Sequence, residues 1–277
     1  MGKNAPVIIV SKTDEASILQ KQILIENFGF QETSSAMFEN PVFMLKSIRL
    51  ITLNESSIFT TKLTNIDASL VIFASKHSSK AGMKALLTHT PGIWTNDASY
   101  GGQPFKIGLA PAKELRFSYD RLVEHAKNNS VDEYQVGIEV THHGPYLPNV
   151  PSLFVEQGGT KEEWRDRNAA EVVAATIFDI AINHLENRIP EKKAIVGFGG
   201  NHYCARFLKI LQTEDYSFGH IIPKHALDNT TPEMIRNAWE RTLAKEKVAV
   251  IDKKGTKSAH RKMVKEALSG ITEPILR

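Results

Sequence analysis

The order of its apolar runs constrains this chain more than any other property. Short runs of strand length recur along it, and most are followed by a stretch with helical spacing. Pro6–Val10 (PVIIV) leads into Asp14–Phe28, which Gly29 closes as a helix stop. Val42–Leu45 and Ile48–Leu53 read as strands paired through a short turn. Ser69–Ala74 (SLVIFA) reads as a buried strand followed by a polar turn, SKHSSK, and Ala112–Lys127 as a helix. The second half continues the alternation. Tyr134–Val140 and Leu153–Val155 are strand-like, and one long helix is expected from Thr160 to about Glu186. Thr160 and Glu163 have the spacing of a capping box there. Lys193–Phe198, Phe218–Ile222 and Lys247–Ile251 read as strands. Tyr203–Leu211, the segment opened by Thr231-Pro232, and Thr256–Leu268 read as helices. Such alternation belongs to α/β architectures. At 277 residues the chain can hold one large domain or two smaller ones.

The histidines fall at particular places in this pattern. Lys76-His77 follows the strand ending at Ala74, His142-His143 the strand ending at Val140, and Asn201-His202 the strand ending at Phe198. In open α/β sheets the loops at the carboxyl ends of neighbouring parallel strands converge, and ligands bind there. Four imidazoles on three such crossings therefore predict a common site. Imidazole is the commonest protein ligand for zinc, and a carboxylate often completes the set. Glu139 and Glu156 are the carboxylates nearest in sequence to the histidine pair. Strand alternation puts Glu139, Thr141 and His143 on one side and His142 on the other, so the paired histidines are expected to differ in role. Pro145, Pro148 and Pro151 then turn the chain away. His89, in HTPG, and His220, within a strand-like run, carry less by themselves. His125, His184 and His260 lie on expected helices and receive no role.

Several function classes are set aside. Nothing in the sequence approaches a membrane span, the start (MGKNAPVIIVSK) lacks a leader layout, and one cysteine excludes an internal disulfide framework. Cytoplasmic residence is the expectation. GFGGNH (197–202) places His202 where a dinucleotide fingerprint needs its third glycine; no phosphate loop, H-E-x-x-H or G-x-S-x-G occurs. Cys204 reads as a small residue at a helix start rather than a nucleophile. Gly199-Gly200 would expose backbone N–H groups suited to a phosphate or an oxyanion. The net charge of +3 is unevenly placed: Lys253, Lys254, Lys257, Arg261, Lys262 and Lys265 form a run with no acidic residue among them. Such a run can meet phosphates or be a solvated face.

The blocks SKTDEAS (11–17), FASKHSS (73–79), HTPG (89–92), THHGP (141–145), FVEQGGTKEEW (154–164), GFGGNHY (197–203) and FGHIIPKH (218–225) together resemble the D-aminoacyl-tRNA deacylase family of archaeal and plant type, in order along almost the whole chain. The glycine block departs from the family's usual G-G-G-H-Y-A-P at Asn201, Cys204 and Ala205, keeping His202 and Tyr203. The resemblance implies a three-layer α/β/α phosphorylase/hydrolase-like core over residues 66–277, with an additional N-terminal α/β part over residues 1–65. It implies zinc-dependent hydrolysis of the ester joining a D-amino acid to tRNA. Carried onto this chain, His77, His142, His143 and His202 form the metal and catalytic set, with His220 as a further candidate. Glu139 or Glu156 is a base or additional ligand, and the N–H groups around Gly199-Gly200 would stabilise the oxyanion. Lys76, Arg206 and the basic run at 253–265 would contact the tRNA. Two rivals stay open: a zinc hydrolase of a small amide or peptide, and a non-catalytic RNA- or nucleotide-binding module.

Overall fold

The computed structural model describes residues 5–79 and 81–277. The first four residues, part of the stretch inspected for a leader, and Lys80, the last residue of the expected polar turn, lie outside the described residues. The first half contains β1 (Pro6–Ser11), α1 (Glu15–Phe28), β2 (Gln31–Met37), β3 (Asn40–Leu45), β4 (Ile48–Leu53), β5 (Leu70–Ser78) and β6 (Ala85–His89). Three short strands follow, β7 (Gly92–Ile93), β8 (Lys106–Ile107) and β9 (Ala110–Pro111), then α2 (Ala112–Asn128) and β10 (Gln135–Ile138). Next come β11 (Ser152–Gly159), α3 (Lys161–Trp164), α4 (Arg167–Leu185), β12 (Ala194–Phe198), α5 (Ala205–Thr213) and β13 (Ser217–Ile222). The chain ends with α6 (Lys224–Leu227), α7 (Pro232–Glu240), β14 (Thr242–Leu243), β15 (Lys247–Ile251), α8 (Ser258–Ala267) and β16 (Ile275–Leu276).

Eight strands form the main sheet in the order β10-β6-β11-β5-β1-β4-β3-β2, and four form a second, β13-β12-β15-β16. The mixed α/β class and large central sheet are those expected. Residues 5–53 are continuous with that sheet, because β1 pairs in parallel with both β4 and β5. One expectation fails on direction. β11 runs parallel to β5, but β6 runs antiparallel to β11, and β10 follows β6. The histidine-bearing segments therefore do not leave one carboxyl rim of parallel neighbours.

Alternation along the strands sorts their side chains onto two faces. Ile8, Val10, Ile72, Ala74, Leu153 and Val155 join the larger core, which also contains the buried faces of α1, α2 and α4. Val7, Ile9, Val71, Phe73 and Phe154 point the other way into a separate cluster. The second sheet is also covered twice. Ile195, Val248 and Val250 share the large core with Phe207 of α5, while Phe198, Ala249 and Ile251 pack with Ile235 of α7 and Val264 of α8.

Caps explain two boundaries. Asp14 accepts from the Ser17 amide to start α1, and Gly29 (φ +77) stops it in the left-handed region. The capping box at Thr160 and Glu163 is present, but the helix it opens lasts only to Trp164. Asp166 interrupts it by accepting from the Asn168 and Ala169 amides and starting α4 afresh. A short carboxylate that captures amide donors ends one helix as readily as it begins another.

Candidate metal centre

The site lies on the face of the main sheet opposite α1, α2 and α4. β5 does not stop at Ala74. Its polar extension SKHS pairs with β11 through Ser78, so His77 is a strand residue, with only 4 % of its surface exposed. On β11 the alternation that buries Phe154 places Glu156 on that same face. β6 brings His89 opposite Phe154, and the imidazole stacks on the phenyl ring at 5.2 Å. Glu139 extends β10 by one residue, its amide donating to the Thr88 carbonyl.

Main-chain bonds tie the next loop to both of its neighbours, and the Trp94 indole donates to the Thr141 carbonyl beside them. The Val140 amide donates to the His202 carbonyl and the Thr141 amide to the Ile221 carbonyl, tying it to the second sheet. The Gly92 amide donates to the His142 and His143 carbonyls from the other side. His143 is thereby held at φ +41, a left-handed conformation costing on the order of 1 kcal/mol for a non-glycine residue.

Five imidazoles and two carboxylates meet as a result. His77 Nδ1 lies 3.5 Å from Glu139 Oε1 and 3.6 Å from Glu156 Oε2. His89 Nε2 lies 3.8 Å from Glu139 Oε2 and 3.7 Å from Glu156 Oε1. His143 Nε2 is 4.0 Å from Glu156 Oε1. The rings of His142 and His202 are 4.6 Å apart, and those of His142 and His143 4.3 Å. His202 Nε2 approaches Glu139 Oε1 to 2.6 Å, yet outside hydrogen-bonding orientation. Three sets of donor atoms each fall within 4.8 Å of one another: His89, His142 and His143; Glu139, His142 and His202; and His77, Glu139 and Glu156.

The fit to a metal ion can be tested on this geometry. Among the described residues His89 Nε2 and both Glu139 oxygens are buried without a hydrogen-bond partner. Buried polar atoms normally have one, and a buried carboxylate is costly unless charge or hydrogen bonds compensate it. Tetrahedral zinc ligands at about 2.1 Å from the ion stand about 3.4 Å from each other. The 3.5–3.8 Å separations here are close to that spacing and long for hydrogen bonds. The nitrogen–oxygen donor set also suits zinc. The residues present fit the ion.

Protonation favours the same reading at two of the imidazoles, His142 and His143. Burial, reinforced by neighbouring imidazoles, pushes His142 well below its ordinary pKa, and burial first of all takes His143 down to about 4. Both are neutral near pH 7. Burial would also lower His77 and His89, but Glu156 and Glu139 outweigh it and raise both. Burial would raise Glu156, but the closeness of the His77 and His89 imidazoles outweighs it and holds Glu156 well below the carboxylate range. His142 Nδ1 and His143 Nδ1 are fixed by the Val140 and Gly144 carbonyls, 2.8 and 2.6 Å away, which leaves each Nε2 directed to the cluster. The Tyr203 hydroxyl lies 3.3 Å from His77 Nε2.

Of the residues singled out in sequence, His77, His142, His143, His202, Glu139 and Glu156 are brought together. His220 is not. Its nitrogens are engaged by Thr141 Oγ1 and the Gly108 carbonyl, each at 3.1 Å, so it is corrected to a structural residue. The oxyanion role of Gly199 and Gly200 is also corrected. Their amides already donate to the Ile222 and Gly255 carbonyls, and positive φ at both lets that loop lie against residues 255–256. Burial raises the Cys204 thiol pKa well above its ordinary value, as suits a packing residue. His125, His184 and His260 pair with Asp179, Glu114 and Asp228. His89 is the member that sequence undervalued. The signal was there: ALLTH is an apolar run of strand length ending in that imidazole.

His77, His142, His143, His202 and Glu156 form one wall of a cavity of about 650 Å³, whose lining also includes Asp14, Lys76, Trp94, Tyr100 and His225. His225 also borders a shallower hollow with Arg206, Lys224, Lys254 and Lys257. The Lys76 ammonium lies 4.3 Å above the Trp164 ring. Lys257 pairs with Asp228, Lys262 with Glu266, and Arg261 donates to the Thr256 carbonyl, whereas Lys253 and Lys265 are exposed. No helix of the described residues is long and apolar enough to cross a membrane.

A mixed sheet with a buried histidine–carboxylate set at a ligand-sized cavity defines an α/β enzyme with metal-ion or acid–base chemistry. The family model for D-aminoacyl-tRNA deacylases matches residues 64–275, and the chain belongs to that family. It is 35% identical over 266 residues to the D-aminoacyl-tRNA deacylase of Thermococcus onnurineus, covering 94% of each chain. With that of Methanosarcina acetivorans it shares 34% identity over 260 residues, 92% of this chain and 82% of the relative. A crystal structure of a conserved protein of unknown function superimposes with a TM-score of 0.87 at 30% identity, covering 100% of this chain and 96% of that one.

Proposed function

We propose that this chain hydrolyses the ester bond of D-aminoacyl-tRNA, releasing the free D-amino acid and the tRNA. One observation carries the reading: in a member of this family, His77, His142, His143, His202 and Glu156 line one ligand-sized cavity, with His89 and Glu139, whose donor atoms are unpartnered, buried within the same cluster. His89, His142 and His143, whose donor atoms fall within 4.8 Å of one another, would hold a zinc ion and leave its fourth position open. Such an ion, when bound, polarises an ester carbonyl and lowers the pKa of a water molecule.

The chain's own residues supply the rest. His202 is the most open of the five imidazoles, with 39% of its side chain exposed, and has the fully buried Glu139 behind it. That pair takes the proton of the water that attacks the carbonyl carbon and gives it to the ribose oxygen as the acyl C–O bond breaks, so that the tRNA leaves with a free hydroxyl. Tyr203 fixes the ring of His77 from its far nitrogen. Phe154, under His89 and His143, gives the cluster an apolar floor that excludes water. Arg206 and Lys254, with Lys76 on the cavity wall and the remaining basic residues of 253–265 outside it, contact the tRNA backbone.

The test is release of D-tyrosine and of L-tyrosine from charged tRNA by tag-free protein, with and without a chelator. Release of the D form alone, lost on chelation and restored by zinc, is the expected result. Equal release of both forms removes the stereochemical part of the proposal, and indifference to chelation removes the zinc.

A further inference from the structure

Two aromatic rings stand in water around the cavity that holds the cluster. Tyr100, which lines the cavity, is 70 % exposed, and Phe59, next to Ile58 of the lining, is 57 % exposed. The other large apolar side chains that are exposed among the described residues are aliphatic. Planar rings left in solvent beside a binding cavity mark a surface that a ligand covers.

Their position is fixed by the same loop that carries the histidine pair. A Cβ at Gly101 (φ +80) would run into the Ile58 carbonyl and crowd the Phe59 ring. One at Gly144 would run into the Ile58 carbonyl and the Gly102 amide. The Gly144 amide donates to the Tyr100 carbonyl at 3.0 Å. Residues 56–59, 100–102 and 143–145 therefore close on one another backbone to backbone, with no side chain between them. Main chain thus sets where both side chains are attached relative to His143.

We infer that Tyr100 and Phe59 form a stacking platform for the unpaired base at the 3′ end of the substrate's acceptor strand. The inference rests on the deacylase reading. With the ester carbonyl at the cluster, the terminal ribose sits at the cavity mouth, and its base is the first planar group beyond it. Stacking on aromatic side chains is how proteins hold unpaired RNA bases, and it requires no hydrogen-bond readout. The basic hollow sharing His225 with the cavity is where the preceding phosphates run.

The test uses two RNA hairpins that differ only in an unpaired 3′ overhang, with binding followed by fluorescence anisotropy, alongside deacylation of D-tyrosyl-tRNA. The expected result is that the full-length protein prefers the overhang hairpin. Tyr100→Ala abolishes that preference and raises KM for charged tRNA roughly tenfold, a loss falling on KM rather than kcat, while Tyr100→Phe restores both. Phe59→Ala acts in the same direction. Equal binding of both hairpins by the wild type, or an equal loss on both in Tyr100→Ala, overturns the platform. Failure of the wild type to release D-tyrosine overturns instead the deacylase reading, which the binding comparison does not touch.

Discussion

His89 and His220 are both completely buried, and the contrast between their surroundings separates the site from the scaffold. The two nitrogens of His220 face Thr141 Oγ1 and the Gly108 carbonyl, and its ring meets the edge of Trp94 at 5.6 Å. Burial takes its pKa down to about 3, so it stays neutral and structural. His89 has the Thr90 carbonyl at Nδ1, but its Nε2 has no hydrogen-bond partner and faces two carboxylates. Burial alone does not distinguish a ligand from a strut. The second nitrogen does.

The largest effect that would break this contrast is expected from Glu139→Gln. Removing the charge behind His77, His89 and His202 should lower D-aminoacyl-tRNA hydrolysis at least about a hundredfold and reduce the bound metal per chain. Metal analysis and turnover of tag-free protein check it; full turnover with metal intact would mean that this carboxylate serves neither the cluster nor His202.

His220→Asn sharpens the contrast from the other side. Metal content should not change, while stability falls by about 1–3 kcal/mol, because buried groups at Thr141 and Gly108 lose a partner. The acid response identifies the cause. His220 titrates near 6.5 in the unfolded chain and near 3 in the folded one, so the unfolded chain binds the extra proton. Its contribution is present above pH 6.5 and is lost as pH falls, at up to about 1.4 kcal/mol per pH unit. Denaturant midpoints measured from pH 7 down to 4 should therefore flatten in the variant, and an unchanged slope would place the proton elsewhere.

The smallest effect is expected outside both environments. Lys254→Glu should raise KM for charged tRNA severalfold and reduce the steepness of its salt dependence by about one phosphate contact. Activity on a small D-amino acid ester should be indifferent to it. Equal sensitivity of the two substrates would favour the rival small-substrate hydrolase.

Sequence revealed the α/β class because apolar runs and helical stretches alternate, and the caps at Asp14, Gly29 and Thr160 are local chemistry. It missed β2, whose residues are mostly exposed and polar, and the break at Asp166, which caps a new helix inside the single one expected. Strand direction was illegible. Nothing within ALLTH says that it lies against residues 154–158 in reverse, because pairing across some 65 residues is decided by tertiary packing. For the same reason His89 was ranked below His220. Both sit in strand-like segments, and only the fold determines what meets the far side of each ring.

The main-chain stitching of the 140–144 loop has a practical consequence. Its bonds to His202, Ile221, Gly92 and Tyr100 use amides and carbonyls rather than imidazoles. Chemistry and scaffold are therefore separable at this loop: alanine at both 142 and 143 should give a protein that is inert yet native in shape. Such a double variant is a ready trap, able to keep an uncleaved charged tRNA in place long enough for the complex to be seen.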